Sequence, residues 1–289
     1  MNFWRKITGM VVLIIVCVIM TGCATSRHYS SSIVQYLYPD QSEPLESPEI
    51  PVLSIPLKVG IAFVPGATGD KIHYGPANLS GASTLNEKEK MLLMQEVSNH
   101  FKKYEFVKSI ELIPSAYLKS KGSFANLDQI RTMFGVDVIA LLSYDQSQFV
   151  DEGFSTISYW TIVGAYVIKG EKNDTNTMLD AAVYDIRSRK MLFRAPGLSH
   201  IKSKATPVNL SEQIRLDSVE GFKEASKDLI VNLDNQLEVF KNKIKESPEE
   251  FKVIHKPGYT GGGSLDTGFI FLILLIGGYY LWNSRREET

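Results

Sequence analysis

Val136-Asp137-Val138-Ile139-Ala140-Leu141-Leu142-Ser143-Tyr144 is a nearly continuous apolar run. A strand with one wet face alternates apolar and polar residues, so a run without that alternation predicts a central strand. Working outward, Leu57–Val64 alternates and reads as a strand that stops at Pro65-Gly66, and Phe106–Ile113 reads as another. Downstream, Ser155–Lys169, Thr177–Ile186 and Met191–His200 supply three more, and Asp185–Lys190 has hairpin-turn chemistry. Helix starts are marked by capping-box spacing at Thr84 with Glu87, Asn126 with Gln129, and Asn209 with Glu212. After the first, Met91, Met94, Val97 and Phe101 keep one face apolar; the second helix ends at Gly135. The last helix, about Leu210–Glu246, repeats Phe222, Ala225, Leu229, Leu233, Leu237, Phe240 and Ile244 at three or four residues. That stripe is either core-covering or a coiled-coil-like seam, and its brevity favours the core. The expected fold is α/β (α+β): a mixed sheet of about six strands, helices mainly on one face, and a long carboxy-terminal helix.

The chain has 289 residues, room for one ordinary domain once its ends are set aside, against about 100–200 residues per domain. Hydrophobic residues make up 44% and charged residues 22%, which excludes wholesale disorder. Lys+Arg 31 against Asp+Glu 32 leaves a net charge of −1, without the basic surplus a nucleic-acid partner requires. The only two cysteines, Cys17 and Cys23, lie near the start, so the body holds neither a disulfide framework nor a Cys-based metal site.

Residues 1–22 read as a secretory signal: Arg5 and Lys6, an apolar run from Met10 to Met20, then Thr21-Gly22 before Cys23. The end resembles the bacterial lipobox, with Met20 where that motif usually has Leu. The resemblance implies cleavage before Cys23, a diacylglycerol on its thiol, the lipoprotein-processing machinery and membrane lipid as partners. The alternative is an uncleaved signal anchor in which Cys23 is incidental. Ala24 in place of Asp removes the inner-membrane retention signal, so the outer membrane is the expected destination. Residues 23–55, rich in Ser and Pro, read as a tether, and 56–247 as the periplasmic domain.

At the other end, residues 248–266 read as a linker containing Gly261, Gly262, Gly263 and Ser264. Each glycine costs a helix about 1 kcal/mol against alanine, so this stretch is extended and accessible. Residues 267–284 are expected to cross the membrane as a helix and 285–289 to form a cytoplasmic tail. The apolar core, Gly268–Trp282, rises only about 22 Å as a helix. That is short of a ~30 Å hydrocarbon layer. Arg285 and Arg286 act as the membrane stop. The arrangement resembles the GlyGly-CTERM sorting signal, although Glu287, Glu288 and Thr289 trail the arginines. It implies processing by a rhombosortase, an intramembrane serine protease. A plain carboxy-terminal anchor is the alternative. A lipobox at one end and this signal at the other is similar to the rhombotarget lipoprotein family, a likeness confined to the two ends.

No catalytic or metal motif is present: no G-x-S-x-G, H-E-x-x-H, P-loop or G-x-G-x-x-G. His28, His73, His100, His200 and His255 have no ligand spacing with one another, so no metal or cofactor is expected. Gly66–Asp70 lacks the Lys and hydroxyl of a nucleotide loop. Asp145, Asp151 and Glu152 are expected at a strand end and its turn, and Tyr159, Trp160 and Tyr166 in the core. The expectation is a non-enzymatic, membrane-anchored lipoprotein of a Gram-negative envelope, facing the periplasm and acting through an envelope protein partner. The alternative is an envelope enzyme or small-ligand binder with a site dispersed over loops 66–83 and 145–156. The strand and helix order is also similar to penicillin-binding-protein activators and the curli secretion lipoprotein, a likeness of fold that carries no function.

Overall fold

A computed structural model of the chain describes residues 25–39, 49–66, 85–152, 171–206 and 208–257. In order the elements are β1 (Thr25–Ser30), α1 (Ile33–Leu37), β2 (Val52–Ile55), β3 (Leu57–Phe63), α2 (Glu87–Phe101) and β4 (Val107–Ile113). A 3-10 turn at Ser115–Tyr117 leads into α3 (Ser123–Phe134), then β5 (Val138–Glu152), β6 (Glu171–Asp185), β7 (Met191–Ala205), α4 (Leu210–Glu246) and β8 (Lys252–His255). Six strands form one mixed sheet in the order β4-β3-β5-β6-β7, with β1 joined to β5; β2 and β8 pair separately, in parallel. The α/β class with a long carboxy-terminal helix is therefore what the chain adopts.

Strand β5 organises the sheet. Its first residues pair in parallel with β3, from Val59↔Val138 to Phe63↔Leu142. Its later residues pair antiparallel with β1, from Ser30↔Asp145 to Thr25↔Val150. β3 and β1 thus lie end to end along one edge of β5, while β6 runs antiparallel along the other for the full fifteen residues. Parallel neighbours need a crossover connection, which α2 and α3 supply for β3, β4 and β5.

Alternation along β5 explains its unbroken apolar start. Val138, Ala140, Leu142 and Tyr144 face Met94 and Val97 of α2 and Phe222, Leu229, Leu233 and Phe240 of α4. Ile139 and Leu141 face the opposite way, into a second core with Leu127 and Ile130 of α3 and Ile33, Tyr36 and Leu37 of α1. The two long helices share one face, so helices lie mainly there, and the short ones cover part of the other. The α4 stripe is core-covering: Phe222, Ala225, Leu229, Leu233, Leu237 and Phe240 are all buried. β7 passes so close beneath it that a Cβ on Gly197 would sit 2.2 Å from the Ala225 carbonyl oxygen. Only glycine leaves that room.

Several sequence expectations are corrected. The stretch 23–55 is not a simple tether. Ser32 caps α1 by accepting a hydrogen bond from Gln35 N at 3.3 Å, and Tyr36 and Leu37 are each only 2% exposed. Average Ser and Pro content hid this short apolar turn, and β1 and β2 flank it. The linker 248–266 likewise begins inside the fold, with Phe251 buried and β8 paired to β2.

The helix starts also move. The box that caps α2 is Asn86 with Glu89, each accepting from the other's backbone N–H at 3.0 Å. α3 begins at Ser123, so Asn126 is internal; its Oδ1 accepts from Tyr36 Oη and Lys119 N, both at 2.9 Å. Asn209 turns its side chain to Thr206, accepting from N and Oγ1 at 2.8 Å, and does not cap α4. The expected strand 155–169 lies outside the described residues, and β1 takes the sixth place. The hairpin turn is as expected: Asp185 Oδ2 accepts from Ser188 N at 2.9 Å, and Arg189 has φ +60°.

Candidate functional site

Beyond Tyr144 the strands keep their alternation but change their chemistry. The sequence reading ended this strand at Tyr144, but β5 runs on through Asp145, Gln146, Ser147 and Gln148 to Glu152. Under the first half of α4, Gln146, Gln148, Asn173, Thr175 and Thr177 are buried. Buried polar groups need partners, and here helix and sheet supply most of them, Asn173 Oδ1 being the member left without one. Gln146 Nε2 donates to Thr177 Oγ1 at 2.7 Å and to the Ser218 carbonyl at 3.2 Å, while Ser218 Oγ donates to Gln146 Oε1 at 2.6 Å. Gln148 Nε2 donates to the Ile214 carbonyl at 2.9 Å and to Thr175 Oγ1 at 3.3 Å. The buried carboxylate of Asp217 accepts from Asn173 Nδ2, from Ser203 Oγ at 2.5 Å, and from Gln213 Nε2 at 2.8 Å.

The opposite face of the same strand ends is exposed. Strand register sets His28, Ser147, Asn176 and His200 in one row across β1, β5, β6 and β7. His28 Nε2 lies 2.9 Å from Asp145 Oδ1, and His200 Nε2 lies 2.7 Å from Asp174 Oδ1. A shallow cleft of about 560 Å³ opens here, lined by Asp145, Ser147, Asn176, Met178, Leu198 and His200. Leu198 is 58% exposed and Phe149, one row further out, 47%. The arrangement is a polar floor with apolar side chains beside it, held between two imidazole–carboxylate pairs.

A third histidine pair fastens α2 to α4. Asp234 accepts from Tyr104 Oη at 2.7 Å and lies 2.6 Å from His100 Nε2. Burial opposes ionisation of Asp234, yet the hydrogen bonds from Tyr104 and His100 hold its pKa below the ordinary aspartate value. Burial first, then the hydrogen bond to Asp234, pushes the Tyr104 phenol up to about 12. Lys241 lies over the Tyr104 ring, 5.2 Å from its centroid.

Among the described residues no hydroxyl is hydrogen-bonded to the ring of His28, His100 or His200, so the contact that activates a nucleophile is not made. Three strand spacings separate His28 from His200, about 14 Å, too far for one metal ion. Among the described residues no three His, Cys, Asp or Glu side chains converge. Asp145 is not at a strand end but inside β5, whereas Asp151 and Glu152 are the strand's last two residues; Asp145 and Asp151 stand about 20 Å apart along it. Paired glycosidase carboxylates stand within about 9.5 Å. The dispersed loop site is corrected to that extent, because 145–152 is strand. Of 66–83, Gly66 bridges to Ser31 and the remainder lies outside the described residues. So do Cys23, Gly261, Gly262, Gly263, Ser264, Arg285, Arg286, and the aromatics Tyr159, Trp160 and Tyr166. Among the described residues no helix is long and apolar enough to cross a membrane.

Sequence reasoning missed the buried polar layer and the histidine–aspartate pairs. The available sign was a period of two in polar residues, Gln146 and Gln148 on β5 and Asn173, Thr175 and Thr177 on β6. The pairs depend on register between strands far apart in sequence, and nothing local announces them.

No protein-family model and no curated protein matches the chain. Among solved structures it is similar to a dodecameric PelC variant from Paraburkholderia phytofirmans, at 10% identity. The match covers 62% of this chain and 94% of that one, with a TM-score of 0.24. A likeness that slight carries no argument about function.

Proposed function

We propose that the chain is a non-enzymatic lipoprotein of the bacterial envelope. In this reading it is exported, lipidated at Cys23, and cut near Gly261–Ser264 by a rhombosortase that removes the segment carrying Arg285 and Arg286. Its α/β domain then faces the periplasm or the cell surface and works through contacts with another envelope protein. The observation that supports the reading is the extent of the described fold, which runs from β1 to β8 between the two sequence motifs. β1 begins at Thr25, just after Cys23, and β8 closes at His255, shortly before Gly261. The exposed row from His28 to His200, with Leu198 and Met178 beside it, is the contact surface on this reading.

The test is an epitope placed after Thr289 in the wild type and in a Gly262→Leu, Gly263→Leu variant. The wild-type protein is expected to lose the epitope while staying in the membrane fraction, and the variant to retain it. A wild-type protein that keeps the epitope contradicts processing. Release of a Cys23→Ser, epitope-free product from the membrane fraction checks the lipid anchor.

A further inference from the structure

Among the described residues β7 is the last strand on its side of the sheet. α4 runs back along it: Ser203 meets Asp217, Ser199 meets Gly221 and Pro196 meets Asn232. Leu198 N donates to Asp228 Oδ2 and the Pro196 carbonyl accepts from Asn232 Nδ2, both at 2.9 Å. These contacts fix which backbone groups of β7 turn away from β6. With a period of two, His200, Lys202 and Lys204 turn their N–H and C=O the same way. Among the described residues nothing meets those groups. Between this edge and α4 lies a shallow hollow of about 590 Å³, lined by Leu198, Ile201 and Val231 with Glu224, Lys227 and Asp228. Glu224 and Lys227 pair at 2.6 Å, and Asp228 is taken up by Leu198 N, so the apolar trio is the selective part. On the open face Arg194 pairs with Asp180 and His200 with Asp174. Lys202 and Lys204 are exposed there without a carboxylate partner among the described residues.

We infer that the outer edge of β7, from His200 to Lys204, accepts an extended segment of a partner protein as an added antiparallel strand, and that this segment alternates acidic with apolar residues. The inference names the partner's chemistry on the contact surface proposed above and rests on that reading, but not on the processing of either terminus. Leu198, Ser199 and His200 line both this hollow and the cleft of the open face, so one partner reaches both. Strand addition draws affinity from main-chain hydrogen bonds and specificity from the alternate side chains. The antiparallel direction continues that of β1 with β5, β5 with β6, and β6 with β7. The partner residue opposite Lys202 exchanges both backbone bonds with it and turns its side chain to the same open face. A carboxylate there meets the ammonium group. The next partner residue turns to the helix side, over Ile201 and Val231, where an apolar side chain fits. A second copy is the wrong occupant. Paired antiparallel through the same edge, it would set Lys202 and Lys204 against lysines and histidine, and lysine on an edge strand works against such self-pairing. The charges that exclude a second copy are the ones that select an acidic strand.

The test uses the protein purified from its native membrane and a fluorescein-labelled peptide alternating glutamate and valine, followed by anisotropy. Saturable binding is expected, and a peptide with lysine in place of glutamate should not bind. Lys202→Glu with Lys204→Glu should weaken binding about tenfold, as expected of two exposed charge pairs. N-methylation separates strand addition from plain charge attraction and leaves the protein unaltered. Methyl groups on the glutamate nitrogens, which face β7 in the antiparallel register, should abolish binding, whereas methyl groups on the valine nitrogens should spare it. Equal effects of the two methylation patterns, the reverse pattern, or no binding of the parent peptide overturns the inference. In cells, Lys202→Pro removes an outward N–H without touching the bonds to β6, and should abolish crosslinking to the envelope partner from a photoreactive group at Leu198. Lys202→Ala keeps that N–H and should weaken the crosslink less. A crosslink that persists in Lys202→Pro overturns strand addition and leaves the contact surface standing. Its absence from the wild type overturns both.

Discussion

Helix α4 meets the sheet in two ways along one face. From Phe222 onward it packs by apolar contact, with Leu229, Leu233 and Phe240 against Leu142, Leu179 and Val183. Before Gly221 it docks through hydrogen bonds from Gln146, Gln148, Asn173 and Ser203. Tyr144 marks the border, its ring edge-on to Phe222 at 5.8 Å between centroids. Apolar packing scales with buried area and tolerates small slips, whereas hydrogen bonds fix direction and register and are costly when one partner is lost. The apolar half therefore accounts for most of the stability, and the polar half sets where the first turns of the helix lie.

The largest expected effect falls in the apolar half. Leu229 is 1% exposed, and Leu229→Ala should cost about 2–5 kcal/mol in urea unfolding. The comparison sharpens with changes that keep volume. Leu229→Met should cost less than about 1.5 kcal/mol, because it alters shape alone. Gln146→Met should cost about 1–3 kcal/mol, because Ser218 Oγ and Thr177 Oγ1 lose their partner in a buried site. Equal costs for the two methionine variants would erase the distinction between the halves.

The Asp234 cluster gives a smaller effect that depends on pH. A carboxyl held below its ordinary pKa adds stability at pH above the unfolded value, and that stability is lost as pH falls through the folded one. A phenol pushed up to about 12 adds stability below its unfolded value near 10, lost as pH rises through about 12. Melting temperature should therefore decline at both extremes, and Tyr104→Phe should flatten the alkaline decline. The smallest effect is expected on the open face. His200→Ala removes a histidine–aspartate contact whose members are 47% and 39% exposed, and should cost under about 1 kcal/mol. Its larger consequence should be weaker crosslinking to an envelope partner through a photoreactive group at Leu198.

The lower half of the sheet was legible in the sequence because its chemistry follows the rule that buried means apolar. Val136–Tyr144 reads as a central strand, and Ile139 and Leu141 are indeed fully buried on one face with Leu142 on the other. The upper half inverts the rule. Gln146 and Gln148 point inward and Phe149 outward, so β5 seemed to end at Tyr144, eight residues early. The next strand was read only from Thr177, six residues after β6 begins, although Asn173 and Thr175 are buried. Serine and proline content suggested a tether over 23–55, where three apolar residues of α1 suffice to dock it. The histidine–aspartate pairs were illegible, since each joins residues that meet only through strand register or helix packing.

Intact mass of the protein taken from its native membrane tests the account most directly. The account predicts a chain beginning at a diacylated or triacylated Cys23 and ending near Ser264, with the residues through Arg285 and Arg286 gone. A chain that still begins at Met1, or one that ends at Thr289, would contradict it.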